Sequence, residues 1–320
     1  MITELEVEFA SEGAALRGRL VMPEPDGARR AAVIMAHGTS ATVEMVMIEY
    51  ARCFARAGLV ALVYDHRNLG RSDGEPRGEI NPWIQCRGYL AALDFAEQCD
   101  EIDPGRVALW GDSYAGGQVI AVAACDPRPR AVVAQCPVFG ATLPEQTPDS
   151  DFLAVFRDTL LRGDVTGTPE TTTGPLPVIS ADTLSHPSLL TPIQAFRWFV
   201  DYGGRPGSRW INRATRVLPP TPVPYAPIHC APFVNASVLM MVAPADEMLH
   251  ANPAVARHAY DLLPGPKRWV NIDDGHFGLL YYPGSRFEEA VAVQSAFLAE
   301  HLLRDPFSSL FPHPPSHERS

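Results

Sequence analysis

Four short apolar runs govern what this chain can become: residues 31–36 (Ala-Ala-Val-Ile-Met-Ala), 59–64 (Leu-Val-Ala-Leu-Val-Tyr), 106–110 (Arg-Val-Ala-Leu-Trp) and 131–136 (Ala-Val-Val-Ala-Gln-Cys). They are short and lack the polar alternation of a half-exposed strand, so each reads as a strand buried on both faces. Between them lie segments with helical spacing. One carries Val43, Met47, Tyr50, Ala51, Phe54 and Ala55 and stops at Gly58, and another covers about 82–98. Buried strands alternating with helices imply a predominantly parallel sheet flanked by helices.

An alternating hairpin, 2–10 and 15–22 around Ser11-Glu12-Gly13, precedes these runs. The strand-helix rhythm returns near the C-terminus, with strands at 237–242 and 267–272 and helices at about 253–263 and 287–303. Residues 137–236 contain no buried-strand run. This segment is rich in Pro, Thr and aromatic residues, with amphipathic pieces at 152–161 and 192–202. Its Phe152, Phe156, Phe196, Trp198, Phe199, Tyr202, Trp210 and Tyr225 are too many aromatics for a stretch that buries nothing. The expected organisation is an α/β core from 1–136 and 237–305, an inserted, mainly helical cap over 137–236, and a flexible tail at 306–320.

A chain of 320 residues, 46% of them hydrophobic, can bury a sizeable core. Its formal net charge of -11 argues against nucleic acid and anionic membrane surfaces as partners, since both require basic patches. The N-terminus lacks the basic start and apolar centre of a signal peptide, and no apolar run approaches a membrane span. The six cysteines include no C-x-x-C pair and suit reduced core thiols. A cytoplasmic location is therefore expected.

The chemistry centres on Leu109-Trp-Gly-Asp-Ser113-Tyr-Ala-Gly-Gly117. A strand ends here and an apolar helix begins, so Ser113 sits on a tight strand-to-helix turn, the setting of a nucleophile elbow. Such a turn needs small residues two positions either side of the serine, and Gly111 and Ala115 meet that demand. Gly116-Gly117 allow close packing of helix on strand. A serine hydroxyl is a poor nucleophile at neutral pH without a histidine to take its proton and an acid to orient that histidine. Asp246 and His276 each follow a C-terminal strand, on the edge of the sheet where Ser113 also lies.

The order Ser113, Asp246, His276 resembles that of the α/β-hydrolase superfamily, and the resemblance extends over about the whole chain. The early His37-Gly38, the loop Asp65-His-Arg-Asn-Leu-Gly-Arg-Ser-Asp-Gly74 and the Gly-x-Ser-Tyr-x-Gly-Gly elbow look like its dienelactone hydrolase, acyl-peptidase and X-Pro dipeptidyl-peptidase-like esterase branch. What this implies is an acyl-serine enzyme needing no cofactor and no metal. The oxyanion hole would be formed by the backbone N–H of Tyr114 and that of Thr39, with Ser40 the weaker alternative.

Other polar residues have plainer roles. His37 should order the oxyanion loop, His66 and Arg67 should brace their loop through Asp65 or Asp73, and Asp112 should favour the helix dipole. The Asp273-Asp274 turn should be solvated rather than a metal pair, and His250 and His258 should lie at the surface. Phe196, Trp198 and Trp210 are the expected substrate contacts from the cap.

The functional reading is a serine hydrolase of a carboxylic ester or lactone (EC 3.1.1), acting on a small, partly apolar acyl substrate. An acyltransferase, a peptidase or a carbon-carbon bond hydrolase would use the same triad, and a hydrolase-fold binding protein without catalysis is the alternative of another class. A homo-oligomer is left open.

Overall fold

The computed structural model describes residues 1–145 and 147–303. The tail expected at 306–320 lies outside the described residues. In chain order the elements are β1 (Ile2–Ser11), β2 (Ala14–Pro23), β3 (Arg30–Ala36), α1 (Ile48–Arg56), β4 (Val60–Tyr64), β5 (Glu79–Ile80), α2 (Pro82–Gln98), β6 (Ile102–Asp112), α3 (Tyr114–Cys125), β7 (Pro129–Gln135), α4 (Phe152–Arg162), β8 (Thr172–Leu176), α5 (Ile193–Gly203), β9 (Ala214–Val217), β10 (Ser237–Val242), α6 (Pro253–Leu262), β11 (Lys267–Asn271) and α7 (Ser285–Leu302).

Eight strands form one sheet in the order β1-β2-β4-β3-β6-β7-β10-β11. The opening hairpin runs antiparallel, β2 joins β4 antiparallel, and every other pairing is parallel. The chain leaves β3 towards β4, crosses back to β6, and from there proceeds the other way to β11. The neighbours β3 and β6 therefore flank the point where the winding reverses, which is where open sheets of this kind place their ligand crevice.

The central strands feed two cores. Ala32, Ile34 and Ala36 of β3 face the core under α2, α3 and α6, whereas Ala31, Val33 and Met35 face the core under α1 and α7. Both faces are buried, which explains why these runs show no polar alternation.

The segment between β7 and β10 carries strands as well as helices. β9 pairs antiparallel with β8 and parallel with β5, making a small three-stranded sheet tied to the core. These strands escape a sequence reading because Thr-Thr-Gly-Pro-Leu and Ala-Thr-Arg-Val are short and mostly not buried, so they carry no apolar alternation. Both helices of this segment are anchored in the cores. Phe156 of α4 packs 4.6 Å from Trp83 of α2, and Trp198 of α5 is buried with its indole N–H donating to the Leu280 carbonyl at 2.9 Å.

At the elbow, a Cβ on Gly111 would stand 2.2 Å from the Ala115 carbonyl oxygen, and one on Gly117 2.4 Å from that of Val138. Gly111→Ala therefore forces the turn to shift, at an expected cost of about 1–3 kcal/mol. Gly204→Ala is the control, since a Cβ there meets nothing within 4 Å. Thermal unfolding of the two variants checks this, and equal shifts would contradict the account.

Candidate active site

Ser113 sits between β6 and α3 at φ 57° and ψ −118°, a conformation that L-residues rarely adopt. The neighbouring backbone holds it there. Its N–H donates to the Gln135 carbonyl at 2.8 Å, and its own carbonyl accepts from Gly116 and Val138, each at 3.0 Å. The hydroxyl is thereby presented at the carboxyl edge of the sheet, 2.9 Å from His276 Nε2. On the other side of the imidazole, Nδ1 lies 2.7 Å from Asp246 Oδ2. With the proton on Nδ1, imidazole donates to Asp246 and accepts from Ser113. The structure thus brings Ser113, His276 and Asp246 into one hydrogen-bonded chain.

Both Asp246 and His276 side chains are almost fully buried, and three carboxylates set the field around the imidazole. Burial, the largest single influence, disfavours the imidazolium, but the hydrogen bond and charge of Asp246, with the charges of Asp112 and Glu247, together raise the His276 pKa above its ordinary value. Glu247 has a second role: its Oε2 accepts the His276 backbone N–H at 2.8 Å and fixes the loop that carries the ring. Asp273 and Asp274 stay apart from this arrangement, Asp274 Oδ1 taking the N–H of Gly275 instead.

Thr39 follows β3 with φ 45° and lines the cavity at Ser113. Tyr114 opens α3, so its N–H is among those left without a partner inside the helix. Gly38 allows the approach of the two segments, since a Cβ there would lie 2.7 Å from Ser113 Cβ and 2.8 Å from Tyr114 N. An oxyanion hole is built from backbone donors of this kind beside a reactive hydroxyl.

Several sequence expectations need correction. Asp112 is buried, with Oδ1 accepting from Gln135 Nε2 at 2.8 Å, so an amide inside the core holds it, not the start of α3. Burial pushes its carboxyl up to about 6. Asp65 braces the loop after β4 by accepting the backbone N–H groups of Val43 and Arg71, and Asp73 pairs with Arg17. Neither uses His66 or Arg67. His66 packs edge-on to Tyr64 and Tyr89, and burial drives its pKa down to about 3. Arg67 bonds Asn68 Oδ1 and the Glu75 carbonyl. His37 is also buried and, mainly through that burial, pushed down to about 3, so it is a neutral ring beside Trp198 that accepts the Gly38 N–H.

Ser113 lines two cavities. A small one of about 20 Å³ is bounded by His37, Leu190, Trp198, Phe199 and Met248 among others. The other, about 380 Å³, is walled mostly by apolar groups including Ile80, Val138, Phe139, Leu189, Leu190, Leu218, Tyr225 and Met248, with Arg216, Glu247 and His250 also present. Of the three expected cap contacts, only Trp198 touches either space. Trp210 lines a separate cavity with Ser40 and Asn68, and Phe196 packs against the core under α1 and α7. Aromatic side chains bury the most apolar area, and in this segment they divide between the two uses: Phe156, Phe196 and Trp210 pack away from Ser113, whereas Phe139, Trp198, Phe199 and Tyr225 line its cavities. Sequence reasoning missed Leu189, Leu190, Arg216 and Leu218, which bear no motif.

The Cys136 thiol, an Asp246 oxygen and a His276 nitrogen lie within 4.8 Å of one another. Both nitrogens of that histidine are already engaged, and burial with the nearby Asp246 and Asp112 charges raises the thiol pKa well above normal. A metal could bind there only by breaking the chain from Ser113.

Residues 12–143 match the X-Pro dipeptidyl-peptidase (S15) family. The chain is 30% identical over 313 residues to the thiohydrolase aneE of Aspergillus aculeatus, with 94% of each covered. It is also 30% identical over 301 residues to the quorum-quenching protein AidA of Acinetobacter baumannii, covering 92% of this chain and 94% of that protein. Among solved structures, DcsB in complex with its substrate analogue superposes with a TM-score of 0.69 at 23% identity, over 94% of this chain and 100% of that one. No helix among the described residues is long and apolar enough to cross a membrane.

Because His276 must be neutral to accept the serine proton and its pKa is raised, kcat/KM should climb with pH through an inflection above the ordinary ~6.5 of histidine. Asp246→Asn should lower that inflection and cost on the order of 10⁴ in turnover. Asp274→Asn should change neither by more than a few-fold. A pH profile of all three proteins decides the assignment, which a larger loss in Asp274→Asn would reverse.

Proposed function

Since the chain belongs to the α/β-hydrolase superfamily, we propose that it is a serine hydrolase cleaving an acyl bond, a carboxylic ester, lactone or thioester, through an acyl-serine intermediate. The observation that carries this reading is the unbroken chain from Ser113 Oγ through His276 to Asp246, at 2.9 and 2.7 Å. Ser113 Oγ attacks the acyl carbon as its proton passes to His276 Nε2. The negative oxygen that forms is met by the N–H groups of Thr39 and Tyr114. His276 then returns the proton to the leaving oxygen or sulfur, and Asp246 stabilises the imidazolium throughout. Water, deprotonated by the same histidine, releases the acid.

Thioesters enter this reading from aneE, named a thiohydrolase, and from the chemistry, since a thiolate leaves more readily than an alkoxide. The apolar cavity of about 380 Å³ suits an acyl chain of modest size, towards the lower end of small-molecule sites. A location in the cytoplasm and a small, partly apolar acyl partner remain part of the proposal.

Ser113→Ala should lower turnover of an ester and a thioester panel by about 10⁶-fold, since loss of a comparable nucleophile has that effect. The same variant should lose labelling by a fluorophosphonate while keeping the wild-type circular dichroism. Retention of more than a small fraction of turnover would sink the acyl-serine mechanism. Running the wild type with a primary alcohol present separates hydrolysis from transfer, because transfer yields the new ester.

A further inference from the structure

The larger cavity at Ser113 is apolar along most of its wall, yet Arg216 is among the residues that line it. Arg216 lies within β9, opposite Ile80 of β5 on one side and Thr173 of β8 on the other. A residue in a strand paired on both sides has a fixed backbone, so Arg216 meets the cavity wall from a rigid base. The side chain is half-buried, and among the described residues its guanidinium has no hydrogen-bond or ion-pair partner. Arg17, Arg19, Arg52, Arg87 and Arg128, by contrast, are each answered by a carboxylate.

A charge partly withdrawn from water without a counter-charge costs free energy. Carboxylates are abundant in a chain with 37 Asp and Glu against 26 Lys and Arg, yet among the described residues none pairs with this one. The cavity is also polarised. Glu247 stands beside His276, with Oε2 on the His276 N–H and Oε1 buried without a partner among the described residues. Arg216 stands near enough to Tyr114 for its charge to pull down a phenol pKa that burial pushes up. A negative group in this space is repelled at the Glu247 side and attracted at the Arg216 side.

Resting on the serine-hydrolase reading above, we propose that the substrate carries an anion, a carboxylate or a phosphate, that pairs with Arg216 while its acyl carbon lies at Ser113. Guanidinium meets either group through two parallel hydrogen bonds, so it fixes orientation as well as charge. The anion can come from the far end of the acyl chain or from the leaving group.

Two fluorophosphonates of equal length, one ending in a carboxylate and one in a carboxamide, test the acyl-side source without requiring turnover. Hydrolysis of octanoyl-pantetheine against octanoyl-phosphopantetheine tests the leaving-group source. In at least one pair the wild type should favour the anionic member by about tenfold or more, the scale of a charged hydrogen bond. Arg216→Gln should bring that ratio to about one, and Arg216→Lys should restore much of it. Preference in the first pair assigns the anion to the acyl group, and preference in the second assigns it to the leaving group. Equal rates within both pairs, or a ratio unmoved in Arg216→Gln, would overturn the anion assignment and leave the hydrolase reading standing. Failure of both fluorophosphonates to label the wild type would instead remove the hydrolase reading, and this inference with it.

Discussion

A serine held with a positive φ is the constraint on which the rest of this structure depends. An L-residue in so sparsely populated a conformation costs on the order of 1–3 kcal/mol, and it persists only where its surroundings over-determine it. Here they do: the Ser113 backbone is bonded to Gln135, Gly116 and Val138, and Cys136, itself at φ 40°, is tied through its N–H to the Met241 carbonyl. The glycines at 111, 116 and 117 are the space this arrangement requires. The strained turn is thus supported by three adjacent strands, β6, β7 and β10, and the same strands set where Asp246 emerges.

Electrostatics extend the same logic. One imidazole is ringed by Asp246, Asp112 and Glu247, a field that favours its protonated form. Asp112 is kept from becoming an isolated buried charge by Gln135, which accepts in turn from Gln294, whose own carbonyl takes the Trp110 indole N–H at 2.8 Å. This buried chain of side chains links β6, β7 and α7 next to the turn that carries Ser113. Each amide satisfies its neighbour, and a gap in such a network would leave a buried polar group unpaired.

Much of the fold is legible in the sequence because it is written locally. Apolar runs without alternation mark the strands buried on both faces, and Gly-x-Ser at the end of one of them marks the tight turn. Ser113, Asp246 and His276 can be listed together because each follows the carboxyl end of a strand, and parallel strands bring those ends to one edge. What escapes is whatever depends on pairing across long sequence separations. The strands β8 and β9 carry no apolar rhythm, Gln294 meets Gln135 across 159 residues, and Arg216 earns notice only once its strand is seen to line the cavity. The aromatic residues of the cap mislead for a related reason. Their abundance signals burial, but composition cannot say whether they bury against substrate or against the core: Phe156 and Phe196 pack on the core, while Trp198 also lines the small cavity at Ser113.

The central claim is that the strained turn makes Ser113 the atom that carries the acyl group. Intact-protein and peptide mass spectrometry of a reaction quenched in acid within milliseconds tests it most directly. The acyl mass should be found on the peptide containing Ser113, appearing before free acid and vanishing as turnover completes. An acyl group found on another side chain, the neighbouring Cys136 included, or acid released with no adduct on Ser113 at any time, would contradict it.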